Sequence, residues 1–288
     1  MDPALQSLLQ RYTLQSPEDH ENALKEIIQY LALLGLWRSK FFEHSAFYGG
    51  TALRIFYGLQ RFSEDLDFSL LEPTPSFNLK PHLESIRKEL ESFGFEVEVA
   101  PKSKSRDSRI ESAFIKGRTH KNLLVIQAPK NQIQQLPRGK LLKIKVELDT
   151  DPPTKAGYDV KTLLTPIPFQ VRLFSAPDLF AGKIHAILCR PWKSRIKGRD
   201  FYDFLWYLGQ DIPCHVEHLQ ERMRQTGHWS TEKVLDHRKL QELLKARFEK
   251  TDFAQTKKDI TPFLKDAQAL VLWDSRFFIE MLKQLRSC

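Results

Sequence analysis

Two aspartates one residue apart, Asp65 and Asp67, close the stretch YGGTALRIFYGLQRFSEDLDFSL at residues 48–70. Residues i and i+2 of a strand project to one side, so both carboxylates would share a face while Leu66 and Phe68 take the other. Burying two carboxylates together is costly unless a cation joins them. Mg²⁺ suits such a pair, because it binds through one or two carboxylates plus substrate phosphates. An edge strand with its acids in water would read the same way.

The stretch opens on Gly49 and Gly50, which read as a tight turn starting a short helix over 51–57, with Thr51 as a cap. Small residues there let backbone N–H groups approach an anion, and the helix dipole favours it. A glycine turn, a short helix and an acidic strand in that order would let glycines and aspartates face one cleft. A triphosphate would lie on Gly49, Gly50 and Thr51, with Arg54 a further candidate contact. A third acid would come from KIKVELDT, where Lys145, Glu147 and Asp149 alternate with apolar residues. Glu147 is the first choice and Asp149 the second, and either could be an ordinary solvent-facing residue.

In SAPDLFAGKIHAILCR, Ser175 reads as N-cap and Asp178 as its capping-box partner. Lys183 flanks the stripe of Phe180, Ile184, Ile187 and Leu188, either as a stem covering apolar surface or as a cation for phosphates. In RDFYDFLWYL, Asp200 and Asp203 share a flank opposite Phe201, Phe204, Leu205 and Leu208. They could support Lys183, hold a metal-bound water or act as a base, or be plain surface acids. Between these helices, Arg190, Trp192, Lys193, Arg195 and Lys197 interleave an aromatic with cations, which suits phosphate tracking and base stacking.

Residues 18–35 read as an amphipathic helix that Gly35 would stop, and a helix at about 79–93 ends at Gly94. The period then changes to two, giving strands at 95–100, 109–117, 122–128 and 141–149, five with the Asp65 strand at 64–70. TDPPTKAG is a turn-rich break, and the pattern after about 175 is helical. The expected organisation is an α+β class chain, with an α/β domain at 1–160 and a helical domain at 161–288.

The chain has 288 residues, enough for a large core, and a net charge of +8 that suggests a polyanionic partner. Three scattered cysteines without a CxxC pair argue against a disulfide framework or zinc site and fit a reducing, cytoplasmic setting. No apolar run approaches membrane-spanning length, and the N-terminus lacks secretory-signal order.

Three motifs in order resemble the AbiEii/AbiGii family of nucleotidyltransferase-like toxins: GGTALRIFYGLQRFSEDLDFSL with its R-x-S-x-D-[LI]-D close, PDLFAGKIHAIL, and KGRDFYDFLWYL. The resemblance implies a polymerase-β-like nucleotidyltransferase core with a mixed sheet and a helical C-terminal lobe. It implies Mg²⁺, a nucleoside triphosphate and a cognate antitoxin. Asp65 and Asp67 would be metal ligands, Ser63 a triphosphate contact, and Lys183 and Asp200 would complete the site with Asp203 in support. Some members of this family extend the 3′ end of tRNA and so block translation, and the expected activity is that transfer. A protein or small-molecule acceptor, or a non-catalytic nucleotide- or RNA-binding role, are the alternatives. The family's wider relatives carry Gly-Ser where this chain has Gly-Gly-Thr, which leaves the contact made by Thr51 open.

Overall fold

The computed structural model describes residues 2–102, 109–192, 196–264 and 266–288. In chain order it forms α1 (Pro3–Leu9), α2 (Pro17–Arg38), β1 (Ser45–Tyr48), α3 (Gly49–Tyr57), β2 (Leu66–Leu70), α4 (Lys80–Ser92), β3 (Glu98–Pro101), β4 (Ile110–Arg118), α5 (Thr119–Val125) and α6 (Lys130–Gln135). Then follow β5 (Leu141–Asp149), β6 (Tyr158–Leu163), β7 (Phe169–Phe174), α7 (Ala176–Cys189), α8 (Gly198–Gly209), α9 (Val216–Gln225), α10 (His237–Glu249), α11 (Phe253–Ile260) and α12 (Ser275–Met281). Two compact units emerge, one of Met1–Thr51, Glu64–Pro152 and Val160–Leu173, the other of Ala52–Ser63, Pro153–Asp159 and Phe174–Cys288.

The first unit is built on a mixed seven-stranded sheet of order β3-β4-β5-β2-β1-β7-β6. β2 runs antiparallel to β1 and parallel to β5, and β5 runs antiparallel to β4. Alternation decides which side is buried: Leu66 and Phe68 of β2, and Ile144, Val146 and Leu148 of β5, are fully buried. Each such side chain contributes about 1.5–3 kcal/mol of transfer free energy.

Helix α2 starts at a capping box, in which Ser16 Oγ accepts from Asp19 N at 3.1 Å and Asp19 Oδ2 from Ser16 N at 3.0 Å. It runs through Gly35 rather than stopping there. A Cβ on Gly35 would stand 2.9 Å from both Ile86 Cα and Ser85 O of α4, so this glycine permits close helix packing.

The α+β expectation holds, and the details depart from it in three places. Residues 122–128 form no strand: their first part belongs to α5, because Asn122 turns inward to accept from Glu96 N at 3.0 Å and donate to Glu96 O at 3.2 Å. An apolar run this short has no distinctive period. The strands β1, β6 and β7 were not expected, although Phe169, Val171 and Leu173 of β7 alternate with Gln170 and Arg172. Ser175 is the N-cap of α7, but its hydroxyl donates to the Asp178 carboxylate instead of closing a capping box. Asp178 is claimed by tertiary partners, Gly157 N at 3.1 Å and His215 Nδ1 at 2.7 Å.

The second unit is helical, with Phe180, Phe201, Phe204, Phe248 and Phe278 fully buried. Phe201 meets Phe253 and Phe278 at centroid distances of 5.5 Å, both edge-on. His218 is fully buried, donates Nδ1–H to Thr154 O at 3.1 Å, and keeps a bare Nε2 without a partner among the described residues. Burial, then Arg222, pushes its pKa down to about 4. Between that value and the ordinary 6.5 the unfolded chain binds a proton that the folded chain refuses. Stability is therefore complete above pH 6.5 and lost as pH falls towards 4, by about 2 kcal/mol at pH 5 from this residue. Thermal midpoints at pH 7 and pH 5 should differ by several degrees in the wild type and by clearly less in His218→Gln. Equal slopes would refute this assignment.

Candidate active site

The glycine turn and the aspartates meet in the first unit. Helix α3 begins at Gly49, so Thr51 lies within its first turn and does not cap it. Gly49 has φ +82, and a Cβ built there would stand 2.5 Å from Asp67 Oδ2. Only glycine satisfies both conditions, a left-handed backbone and a carboxylate against the Cα. Thr51 is fully buried, and its hydroxyl donates to Asp65 O at 2.5 Å. That bond ties the helix start to the approach to β2.

Asp65 and Asp67 are half-buried on the face opposite Leu66 and Phe68. Asp67 lies in register with Tyr48 on β1 and with Glu147 on β5. Glu147 is already engaged: Lys145 Nζ stands 2.6 Å from its Oε1, and Ser112 Oγ donates to it at 3.4 Å. Asp149 Oδ1 accepts from Asp151 N at 3.0 Å. From the other side α2 braces the entry to β2. Gln29 Nε2 donates to Glu64 O at 2.9 Å, and Lys25 reaches Glu64 Oε1 at 3.1 Å. Lys25 and Gln29 were not legible as supports, because the residue they hold lies far along the chain.

Gly49→Ala is expected to cost about 1–3 kcal/mol for its backbone and to displace the Asp67 carboxylate as well. Gly58 is the control: its φ is +78, and nothing lies within 4 Å of an added Cβ. Urea unfolding of both alanine variants should show Gly49→Ala clearly the less stable. Equal losses would mean that the contact with Asp67 carries no cost.

The second unit holds a chain of ion pairs. Arg61 grips Asp203 in a fork, Nε to Oδ1 and Nη2 to Oδ2, both at 2.6 Å. Lys183 Nζ bridges Asp203 Oδ2 at 2.7 Å and Asp200 Oδ1 at 2.8 Å. Arg190 Nη1 closes the chain on Asp200 Oδ2 at 2.6 Å. Three cations face two carboxylates, so the cluster carries one excess positive charge. Arg61, Asp200 and Asp203 are all buried. Burial opposes ionisation of Asp200, but Lys183 and Arg190 outweigh it and hold its carboxyl below the ordinary range. For Arg61, burial likewise opposes the charge, and Asp203 overrides it and raises the pKa. Lys197 is lowered by burial and by Arg190. Asp200 and Asp203 are therefore not surface acids: both are buried and both hold Lys183.

Other candidate residues have structural partners. Arg54 Nη1 donates to Gln60 O at 3.3 Å and Arg61 O at 3.1 Å, bracing the loop that delivers Arg61. Ser63 is buried. Trp192 is not a free stacking face, since the Arg247 guanidinium lies 3.6 Å from its ring centroid and Phe201 packs at 5.5 Å. Lys193 and Arg195 lie outside the described residues. Arg61 was quoted in the motif but not singled out. Its signal was there, an arginine at the head of the motif whose carboxylate partner lies in another motif.

Among the described residues no three acid, histidine or cysteine side chains are grouped to hold a metal ion. Two carboxylates are a donor set for Mg²⁺ that arrives with a nucleotide and keeps phosphate and water ligands, so the residues present fit that ion. Among the described residues no helix is long and apolar enough to cross a membrane.

Comparison with known proteins bears on the fold and the family. No curated protein matches the sequence at a significant level. Among solved structures, a candidate nucleotidyltransferase from H. pylori aligns over 90% of this chain and 92% of its own, with TM-score 0.51 and 18% identity. That likeness shows the fold, an α+β nucleotidyltransferase type. JHP933 from Helicobacter pylori aligns over 90% and 89%, with TM-score 0.48 and 16% identity. The model of the nucleotidyl transferase AbiEii toxin family, of type IV toxin–antitoxin systems, matches residues 31–280. The chain therefore belongs to the AbiEii family of nucleotidyl transferase toxins.

Proposed function

We propose that this protein transfers a nucleotide from a nucleoside triphosphate to an RNA acceptor, first the 3′ end of tRNA, and that the transfer blocks translation. The observation that carries the reading is the contact between the glycine turn and a carboxylate, Gly49 against Asp67. It puts an anion-favouring helix start beside a cation-favouring acid pair.

In this reading the acceptor's 3′ oxygen bonds to the α-phosphorus, the bond to pyrophosphate breaks, and the hydroxyl proton leaves to solvent. Asp65 and Asp67 would hold Mg²⁺ with the nucleotide's phosphates, and the ion would supply charge neutralisation there. Gly49 and Gly50 donate backbone N–H groups to the phosphate oxygens. Thr51 positions β2 through the Asp65 carbonyl and keeps the acid pair in place. Glu147 stands level with Asp67 on β5 and is the third candidate acid, with Lys145 on its Oε1. Lys183 is assigned to the same reaction by the resemblance. Two of its three N–H donors are held by Asp200 and Asp203, which leaves one for a phosphate oxygen. A cognate antitoxin partner follows from the family.

The test is purified protein with total tRNA, Mg²⁺ and each labelled nucleoside triphosphate in turn, beside Asp65→Ala. Label on tRNA that vanishes in the variant supports the reading and names the nucleotide. Label on protein or a small molecule moves the acceptor. No label on any acceptor refutes transfer by the protein alone.

A further inference from the structure

β4 and β5 present one face of the first unit's sheet that is not core. Ala113 and Ile115 are fully buried on one side of β4, whereas Ser112, Phe114 and Lys116 point to the other and are half-buried. Directly opposite them on β5 stand Glu147, Lys145 and Lys143. Residues paired across an antiparallel ladder share a face. Phe114 is thus an aromatic ring among polar neighbours, with Lys143 Nζ 4.2 Å and Lys116 Nζ 5.7 Å from its centroid. On its other side the ladder partner of Phe114 on β3 is Ala100, a small residue. Glu98 lies opposite Lys116 on β3, and Lys145 is held by Glu147. Among the described residues, Lys116 and Lys143 have no carboxylate at ion-pair distance.

The register links this patch to the acid pair. β2 is parallel to β5 with Leu66 opposite Val146, which puts Asp65, one residue before β2, level with Lys145. Phe114 pairs with Lys145 from the other side. One row across the sheet therefore reads Phe114, Lys145, Asp65, and two strand spacings separate its ends, about 10 Å. An aromatic on a sheet face with cations beside it is the device by which sheet surfaces stack bases and hold phosphates of single-stranded nucleic acid.

We propose that Phe114, with Lys116 and Lys143, is a stacking platform for a single-stranded RNA end, placed to hold a base of the acceptor about 10 Å from the Asp65–Asp67 pair. The phosphates run over the two lysines and the base lies on the ring. The proposal rests on the reading above that the acid pair marks the transfer site. The patch favours RNA over an acidic peptide because it supplies an aromatic ring as well as cations, and a base can take the face on which the Lys143 ammonium now rests while a phosphate takes the ammonium.

The test uses the full chain and a short single-stranded RNA with a free 3′ hydroxyl, labelled at its 5′ end, followed by fluorescence anisotropy without nucleotide. Phe114→Ala should weaken binding roughly 5- to 150-fold with the thermal midpoint nearly unchanged. Phe114→Leu, which keeps bulk and loses the π-face, should weaken it similarly. Lys143→Gln and Lys116→Gln should each flatten the slope of log K against log salt by about 0.7. Wild-type affinity in both Phe114 variants overturns the proposal, as does failure of the wild type to bind the RNA at low salt. A polyglutamate peptide that competes equally, with the same dependence on Phe114, also overturns it in favour of a protein partner. Lost RNA binding in Phe114→Ala, with no label transferred by the wild type, would leave the platform standing and sink the transfer reading.

Discussion

Asp65→Asn and Asp67→Asn should each lower the rate of nucleotide transfer roughly 100- to 10,000-fold. Charge neutralisation by a metal is worth several kcal/mol, and each 1.4 kcal/mol is about tenfold in rate. The substitution keeps shape and hydrogen-bonding capacity but removes the charge that holds the cation. Mg²⁺ with nucleotide should raise the wild-type thermal midpoint by linkage and fail to raise that of either variant. A variant that keeps wild-type transfer would remove the carboxylates from the mechanism. A wild type that gains no stability at saturating ligand would count equally against the metal assignment.

The second large effect is structural. Arg61→Met should destabilise the protein by about 3–5 kcal/mol, because it leaves Asp203, fully buried, with one of its two cationic partners. Restoring apolar balance by Arg61→Met with Asp203→Leu should recover a good part of that loss, since a buried pair removed whole costs far less than one broken in half. Arg61→Lys should fall between the two, as a single ammonium cannot reproduce the fork. Denaturant unfolding of the three variants measures these differences. Near-wild-type stability in Arg61→Met would show that Lys183 alone suffices for Asp203. The same experiment bears on function, because Asp203 is one of the two anchors of Lys183.

The acid pair was readable from spelling alone because a strand's two-residue period is a local rule. Asp65-Leu66-Asp67-Phe68 puts its charges on one side whatever surrounds it, and β5 came out at its expected bounds because nine residues alternate cleanly. The order of the three motifs likewise identified the family, since order and spacing are properties of the chain itself. The lysine helix and the Arg-Asp helix were placed by the same local logic, from a run of apolar residues at helical spacing.

What local rules could not supply was partnership. Gly35 looked like a helix stop because a glycine's backbone freedom is a local signal, while its actual use, the approach of Ile86, depends on a helix 50 residues away. Residues 122–128 looked like a strand because a short apolar run has no period of its own, and Asn122 settled it through Glu96. Thr51 had a hydroxyl that suited phosphate, and the fold committed it to the Asp65 carbonyl. Trp192 had the composition of a stacking residue, and Arg247 took its face. Sequence by itself determined which side chains carry charge, on which side of their own element, and in which order along the chain. Only the tertiary structure decided which charges neutralise one another. Ion pairing depends on distances of a few ångströms between residues such as Arg61 and Asp203, separated by 142 positions, and no local periodicity encodes such a distance.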